Sequence, residues 1–253
     1  MVRALAAPLI ACTLVLGSST FAFAAPVGPG AEEGPSLDGW RLTLPVDSEG
    51  GTDGDPVVLD PAELAPPFLS RTEGGGLEFW APTLGDTTSH SGSPRTELVA
   101  GEGFTTGTDG EHALTAEVAV TQVPDTSRTI VLGQIHGEQE LRSDPYVLLY
   151  YDDGEVYAKV NQQLESGSNY EKYPLLDDVR LGDTFGFGIT DSGDGDLELT
   201  ATHEDTTERK SAPVPEVWSD RPVRFQAGDY AQLKGEPAED DGGRVTFTEL
   251  SAS

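Results

Sequence analysis

One cysteine, Cys12, is present in the 253-residue chain, and it lies inside an apolar N-terminal run. Once that run is removed no disulfide can form, so stability rests on an ordinary hydrophobic core. Basic residues are scarce, 15 Lys and Arg against 44 Asp and Glu, for a formal net charge of −29. Such a surface repels nucleic acid and anionic membranes at long range, and neither is expected as a partner. Charge effects fade beyond about 10 Å at moderate ionic strength, so an acidic polymer can be bound only in a local basic cleft. Three of the four histidines, His90, His112 and His203, lack metal-ligand spacing and read as surface or packing residues. No long helical period and no internal repeat is found, which argues against a helical bundle, a coiled coil or a solenoid.

What the chain does have begins with an export signal. Arg3 precedes an apolar run over residues 4–17, and Ala22-Phe23-Ala24 supplies the small residues a signal peptidase needs. The run is too short and wrongly flanked for a membrane anchor. Leu9-Ile10-Ala11-Cys12 loosely resembles a lipoprotein box, but apolar residues continue well past the cysteine. Residues 1–24 are therefore expected to be cleaved and the remainder secreted to the extracellular space. Residues 25–35, rich in Pro, Gly and Glu without apolar periodicity, read as a flexible lead. Residues 36–253 then form one domain, expected to act as a monomer.

Within that domain short alternating runs are separated by Gly, Asp, Asn and Ser. Trp40, Leu42 and Leu44 share one strand face, as do Leu114, Ala116, Val118 and Val120. Residues 146–151 turn at Asp152-Asp153-Gly154, a hairpin signal, into a strand with Val156, Ala158 and Val160 inward. Tyr157, Lys159 and Asn161 take the other face. The acidic loop over residues 191–196 lacks the third-position ligand and the later glutamate of a calcium loop, and reads as a second hairpin turn. Around Pro61-Ala62-Glu63-Leu64 the prolines leave room for at most a short helical turn. Many short strands and frequent turns predict an all-β fold, an antiparallel β-sandwich of jelly-roll type.

The stretch Gly133-Gln134-Ile135-His136-Gly137 ends one alternating run, so Gln134 and His136 share a face and Ile135 takes the other. Taken alone, two polar residues on a solvent-facing strand are the simpler reading. Three separated stretches change it. Phe79-Trp80-Ala81-Pro82, with Gly85 and Thr88, leads to Ser93-Pro94-Arg95-Thr96-Glu97-Leu98; Gln134-Ile135-His136 follows; Phe225-Gln226-Ala227-Gly228-Asp229-Tyr230-Ala231-Gln232 lies near the C-terminus. Together, in this order, they resemble the alginate lyases of polysaccharide lyase family 7, whose motifs are written R-S/T-E-L-R, Q-I/V-H and Y-F-K-x-G-x-Y-x-Q. Val99 stands at the usual second arginine, Gln226 at the usual lysine and Arg224 at the usual first tyrosine.

The resemblance implies a jelly roll with a concave substrate-binding groove, acting on the acidic polysaccharide alginate by β-elimination, with no metal or cofactor. It assigns Arg95 and Gln134 to neutralising the sugar carboxylate. His136 is then the base at C5 for guluronate, and Tyr230 is the acid at O4 and, for mannuronate, both base and acid. A phenol is a reluctant base, so Arg95 and His136 would have to assist Tyr230. Ile135 in the second motif is associated in the family with acceptance of guluronate. Glu97, Tyr157, Lys159, Asn161, Gln226 and Gln232 complete the expected substrate-binding set. Period two places Asp229 on the inward face, where it needs a partner. Two other readings stay open: a lyase for another polyuronate such as glucuronan, prompted by Val99 and Gln226, and a carbohydrate-binding jelly roll without catalysis.

Overall fold

The structure, a computed structural model, describes residues 34–253 apart from residues 53, 90, 109, 142, 143 and 165–168. The expected signal at residues 1–24, nearly all of the lead at 25–35 and His90 lie outside the described residues. Two antiparallel sheets make up the fold, of nine and seven strands among the described residues. The larger runs, edge to edge, β11 (Tyr170–Leu176), β10 (Glu155–Asn161), β9 (Pro145–Asp152), β8 (Thr129–Gly137), β15 (Pro222–Ala231), β5 (Arg95–Ala100), β1 (Trp40–Thr43) and β2 (Val58–Leu59), with β6 (Phe104–Thr105) paired to β15. The smaller runs β14 (Thr206–Pro213), β13 (Asp196–His203), β12 (Thr184–Asp191), β7 (His112–Gln122), β16 (Gly242–Ala252), β4 (Leu77–Pro82) and β3 (Leu69–Arg71). Among the described residues helix is confined to two single 3₁₀ turns, Gln139–Leu141 and Glu216–Trp218, and residues 61–64 form none.

The core fills the space between the sheets, as the alternation requires. Leu42, Leu98, Ile135 and Phe225 of the larger sheet meet Leu114, Val118, Phe187 and Phe247 of the smaller, all in one buried cluster. Each such side chain contributes roughly 1.5–3 kcal/mol on burial. Phe79 and Phe247 meet edge to face at 5.1 Å. The Asp152-Asp153-Gly154 signal is a real hairpin, with both Asp153 (φ 49°) and Gly154 (φ 100°) in the left-handed region that a type I′ turn demands. Residues 191–196 also form a hairpin, joining β12 to β13; the Asp191 carboxylate accepts the Gly193 and Gly107 N–H groups. His112 stacks on Phe104 at 4.4 Å and His203 lies 3.7 Å from Asp183, so both are packing or surface residues.

Candidate active site

The order β8, β15, β5 sets the three motif strands side by side, although they are far apart along the chain. On β8 a bulge decides which way the chemistry faces. Strict alternation from the buried Ile130 and Leu132 would send Gln134 and His136 into the core. Instead the register shifts between Val131 and Gly133 against β9, and Leu132 and Gly133 both turn inward. A Cβ on Gly133 would lie 2.9 Å from the Phe187 ring and 3.1 Å from Leu114, so only glycine permits this approach. Gln134 and His136 then emerge on the outer face, with Ile135 buried.

Backbone register does the rest. Arg95 pairs directly with Tyr230, Gln226 with Gln134, and Arg224 with His136. The Arg95 guanidinium carbon sits 3.7 Å above the Tyr230 ring centroid. Tyr230 Oη lies 2.9 Å from Ser91 Oγ, which itself donates to the Ser93 carbonyl at 3.0 Å. Arg95 Nη1 donates to Glu97 Oε2 at 3.3 Å, and Gln134 Nε2 donates to Glu97 Oε1 and, at 3.3 Å, to Gln226 Oε1. The amide of Gln134, expected to face a substrate carboxylate, therefore has its donors engaged within the sheet. Arg95 keeps more in reserve: among the described residues only Nη1 is engaged, and its Nε has no partner.

Electrostatics separate the roles further. A carbonyl only accepts, so the 3.1 Å contact of His136 Nδ1 with the Gly137 oxygen fixes the proton on Nδ1 and leaves the Nε2 lone pair free. Burial, reinforced by the charge of Arg95, lowers the His136 pKa to about 4, so the ring is a neutral acceptor near pH 7. Burial raises the Glu97 carboxyl above the usual range, against the pull of Arg95 and the hydrogen bond from Gln134. Asp229 is fully buried, as its inward position requires. Its Oδ2 accepts the Ala81 N–H at 3.3 Å, and burial holds its carboxyl well above the ordinary value. Gly243 makes room for it, since a Cβ there would fall 2.2 Å from Oδ1.

These groups line an open groove of about 740 Å³ across the outer face of the larger sheet. Arg95, Glu97, Gln134, His136, Lys159, Gln226, Tyr230 and Gln232 all reach it. Two of the expected substrate-binding residues do not. Tyr157 is buried, stacked on Tyr150 at 5.0 Å with its hydroxyl donating to Asp152. Asn161 is fully buried at its strand end, donating to the Pro145 carbonyl and accepting from the Gln163 N–H. Periodicity had the face right; it carries no information about how deeply neighbours cover it. The groove also holds Arg41, Ser91, Tyr150, Tyr170 and Arg224, which the motifs do not name as ligands. Arg41 was legible, being on the face opposite Trp40 and Leu42. Four basic side chains, Arg41, Arg95, Lys159 and Arg224, face two acidic ones, Glu97 and Glu138, so the cleft has a positive surplus inside a strongly negative body.

A family model described as Alginate lyase matches residues 36–253. An alginate lyase from Pseudomonas aeruginosa is 27% identical, with a TM-score of 0.73 over 87% of this chain and 99% of that one. One from Klebsiella pneumoniae is 22% identical, with a TM-score of 0.74 over 89% and 98%. A variant of the family 7 alginate lyase A1-II′, in complex with its substrate GGMG, is 22% identical, with a TM-score of 0.72 over 86% and 93%. No curated protein sequence matches the chain.

Proposed function

This chain belongs to the alginate lyase family, and from that premise we propose that it is a secreted enzyme that cleaves alginate internally by β-elimination at 4-linked uronate residues. The observation that carries the reading is the convergence of Arg95, Gln134, His136 and Tyr230 in one groove with a positive surplus. Arg95 faces the carboxylate of the reacting sugar and stabilises the charge that builds there. His136 Nε2 takes the C5 proton. The C5–H electron pair becomes the C4–C5 double bond as the C4–O4 bond breaks, and Tyr230 gives its phenol proton to O4. This route needs proton and leaving group on opposite faces of the ring, as in guluronate, so guluronate-containing or mixed blocks are the favoured substrate. In mannuronate the two share a face, and Tyr230 serves as both base and acid beneath the Arg95 guanidinium.

Internal cleavage is supported by the extent of the groove, which reaches from Arg41 on β1 to Tyr170 on β11 with Arg95, His136 and Tyr230 between. The polymer therefore has room on both sides of the cleaved bond. Export is supported by the signal pattern of residues 1–24. Incubating the mature protein with polyguluronate, polymannuronate and mixed alginate should give unsaturated ends that absorb in the ultraviolet. No rise with any of the three refutes the reading, and polymer binding without such a rise assigns the chain to a non-catalytic role. The neutral Val99 and Gln226 favour a second reading, a lyase for another polyuronate such as glucuronan; faster turnover of that polymer in the same panel would establish it.

A further inference from the structure

One row of side chains crosses the groove at right angles to the strands. Gln134 pairs with Gln226, Gln226 with Val99, and Val99 with Arg41; on the other side Gln134 pairs with Leu148, and Leu148 with Lys159. Directly paired residues present their side chains on the same face, and all six line the groove. With strands about 4.8 Å apart, Arg41 lies roughly 15 Å from Gln134 on one side and Lys159 about 10 Å on the other. The row thus ends in a cation on each side, with neutral residues between them.

Arg41 differs from the other outlying arginine of the groove. Arg224 is occupied, ion-paired to Glu138 and donating to the Ala100 carbonyl at 3.1 Å. Arg41 has no acidic partner among the described residues, and its Nε is buried without a hydrogen bond. In a chain with 44 acidic residues against 15 basic ones, a groove-lining guanidinium left without a carboxylate is a conspicuous exception. Buried donors are normally satisfied, and an orphan at a site asks for a ligand. Arg95, at the reacting centre, has the same orphaned Nε.

We propose that Arg41 is a carboxylate-binding residue of an outer subsite, gripping a uronate unit of the polymer three strands away from Gln134. The proposal rests on the lyase reading. Its planar guanidinium suits bidentate capture of a sugar carboxylate. Because Arg41 is remote from the bond that breaks, it holds ground state and transition state alike, and acts on KM rather than kcat. The neutral side chain at Val99 leaves the space beside it uncontested.

The test is steady-state kinetics on a ladder of oligouronates and on polymer, for wild type, Arg41→Gln, Arg41→Lys and the double variant Arg41→Gln with Val99→Arg. Arg41→Gln should raise KM for long substrates ten- to a hundredfold, the worth of a charged hydrogen bond, with kcat changed less than twofold. Short oligomers that do not reach Arg41 should show no change, and the double variant, which returns the cation one strand nearer, should recover most of the loss. Arg41→Lys should fall between wild type and Arg41→Gln. An unchanged KM on polymer, a loss equal at all lengths, or a double variant no better than Arg41→Gln would overturn the proposal. Absence of wild-type turnover on every uronate polymer would instead remove the lyase reading, a distinct result.

Discussion

Tyr230 and Ser91 share a hydrogen bond at the groove. Their hydroxyl oxygens lie 2.9 Å apart, either of them able to donate, and Ser91 Oγ also lies 3.0 Å from the Ser93 carbonyl oxygen. Ser91 thus fixes the position of the phenol oxygen, while the Arg95 guanidinium covers the ring. Two variants separate the hydroxyl from its support. Tyr230→Phe keeps the ring that packs under Arg95 and loses the acid, so turnover should fall at least a hundredfold with polymer binding and thermal midpoint nearly unchanged. Ser91→Ala keeps the acid and frees its rotor, and kcat should fall about tenfold with KM little changed. Substantial turnover in Tyr230→Phe would remove the phenol from the reaction.

His136 should stay neutral well below the range of an ordinary histidine. Burial places its pKa at about 4 against 6.5 for the free side chain, so the base is competent down to mildly acid pH. kcat/KM at pH 5.5 should lie within about twofold of its pH 7 value, where an unperturbed imidazole would have lost about tenfold. The same shift makes a stability statement. Between 4 and 6.5 the unfolded chain binds the extra proton, so this contribution is full above 6.5 and is lost as pH falls toward 4. NMR titration of the imidazoles checks the value directly, and a midpoint near 6.5 contradicts it.

Gly133→Ala should be costly for so small a change. The added methyl meets the Phe187 ring at 2.9 Å, and forcing it in should cost roughly 1–3 kcal/mol of stability in urea unfolding. Because Gly133 is where β8 turns its next side chains outward, kcat should fall as well. Unchanged stability and activity would show that the bulge tolerates a side chain.

Asp229→Asn tests the buried carboxyl behind the groove. Its folded pKa is raised well above the ordinary value, so it binds more protons folded than unfolded. That contribution to stability is present below the ordinary carboxylate range and is lost as pH rises through the folded value. The asparagine variant lacks this loss while its amide oxygen still accepts the Ala81 N–H. Its stability relative to wild type should therefore improve from pH 4 to pH 8 in paired urea titrations, and parallel profiles would refute the assignment.

Several of these features could be read from residues alone, and others could not. Alternation located the faces of Leu42, Leu114, Val118 and Ala158 because each sits inside its strand with a paired strand on both sides. The Asp153-Gly154 turn was legible because its backbone conformation is local and glycine advertises it. At Gln134 the local pattern was misleading, since the run from Ile130 points the wrong way until the bulge at Leu132-Gly133 reverses it; a glycine inside a strand was the available signal. Tyr157 and Asn161 were placed on the correct face, but the stacking of Tyr150 and the hydrogen bond to the Pro145 carbonyl that take them out of the groove depend on a neighbouring strand. Asp229 needed the Ala81 N–H and the bare backbone of Gly243, from two other strands, before it made sense.

The position of β15 between β8 and β5 also sets a timetable. It is the second-last strand to be synthesised, yet it joins the two halves of the larger sheet and brings the acid, Tyr230. A chain emerging from the ribosome holds Arg95, Gln134 and His136 long before it can assemble them. Until β15 arrives, β8 and β5 each present an unpaired edge, the kind of surface on which chains aggregate. The nascent chain is thus most vulnerable just before it first becomes competent, and those two edges in particular need shielding.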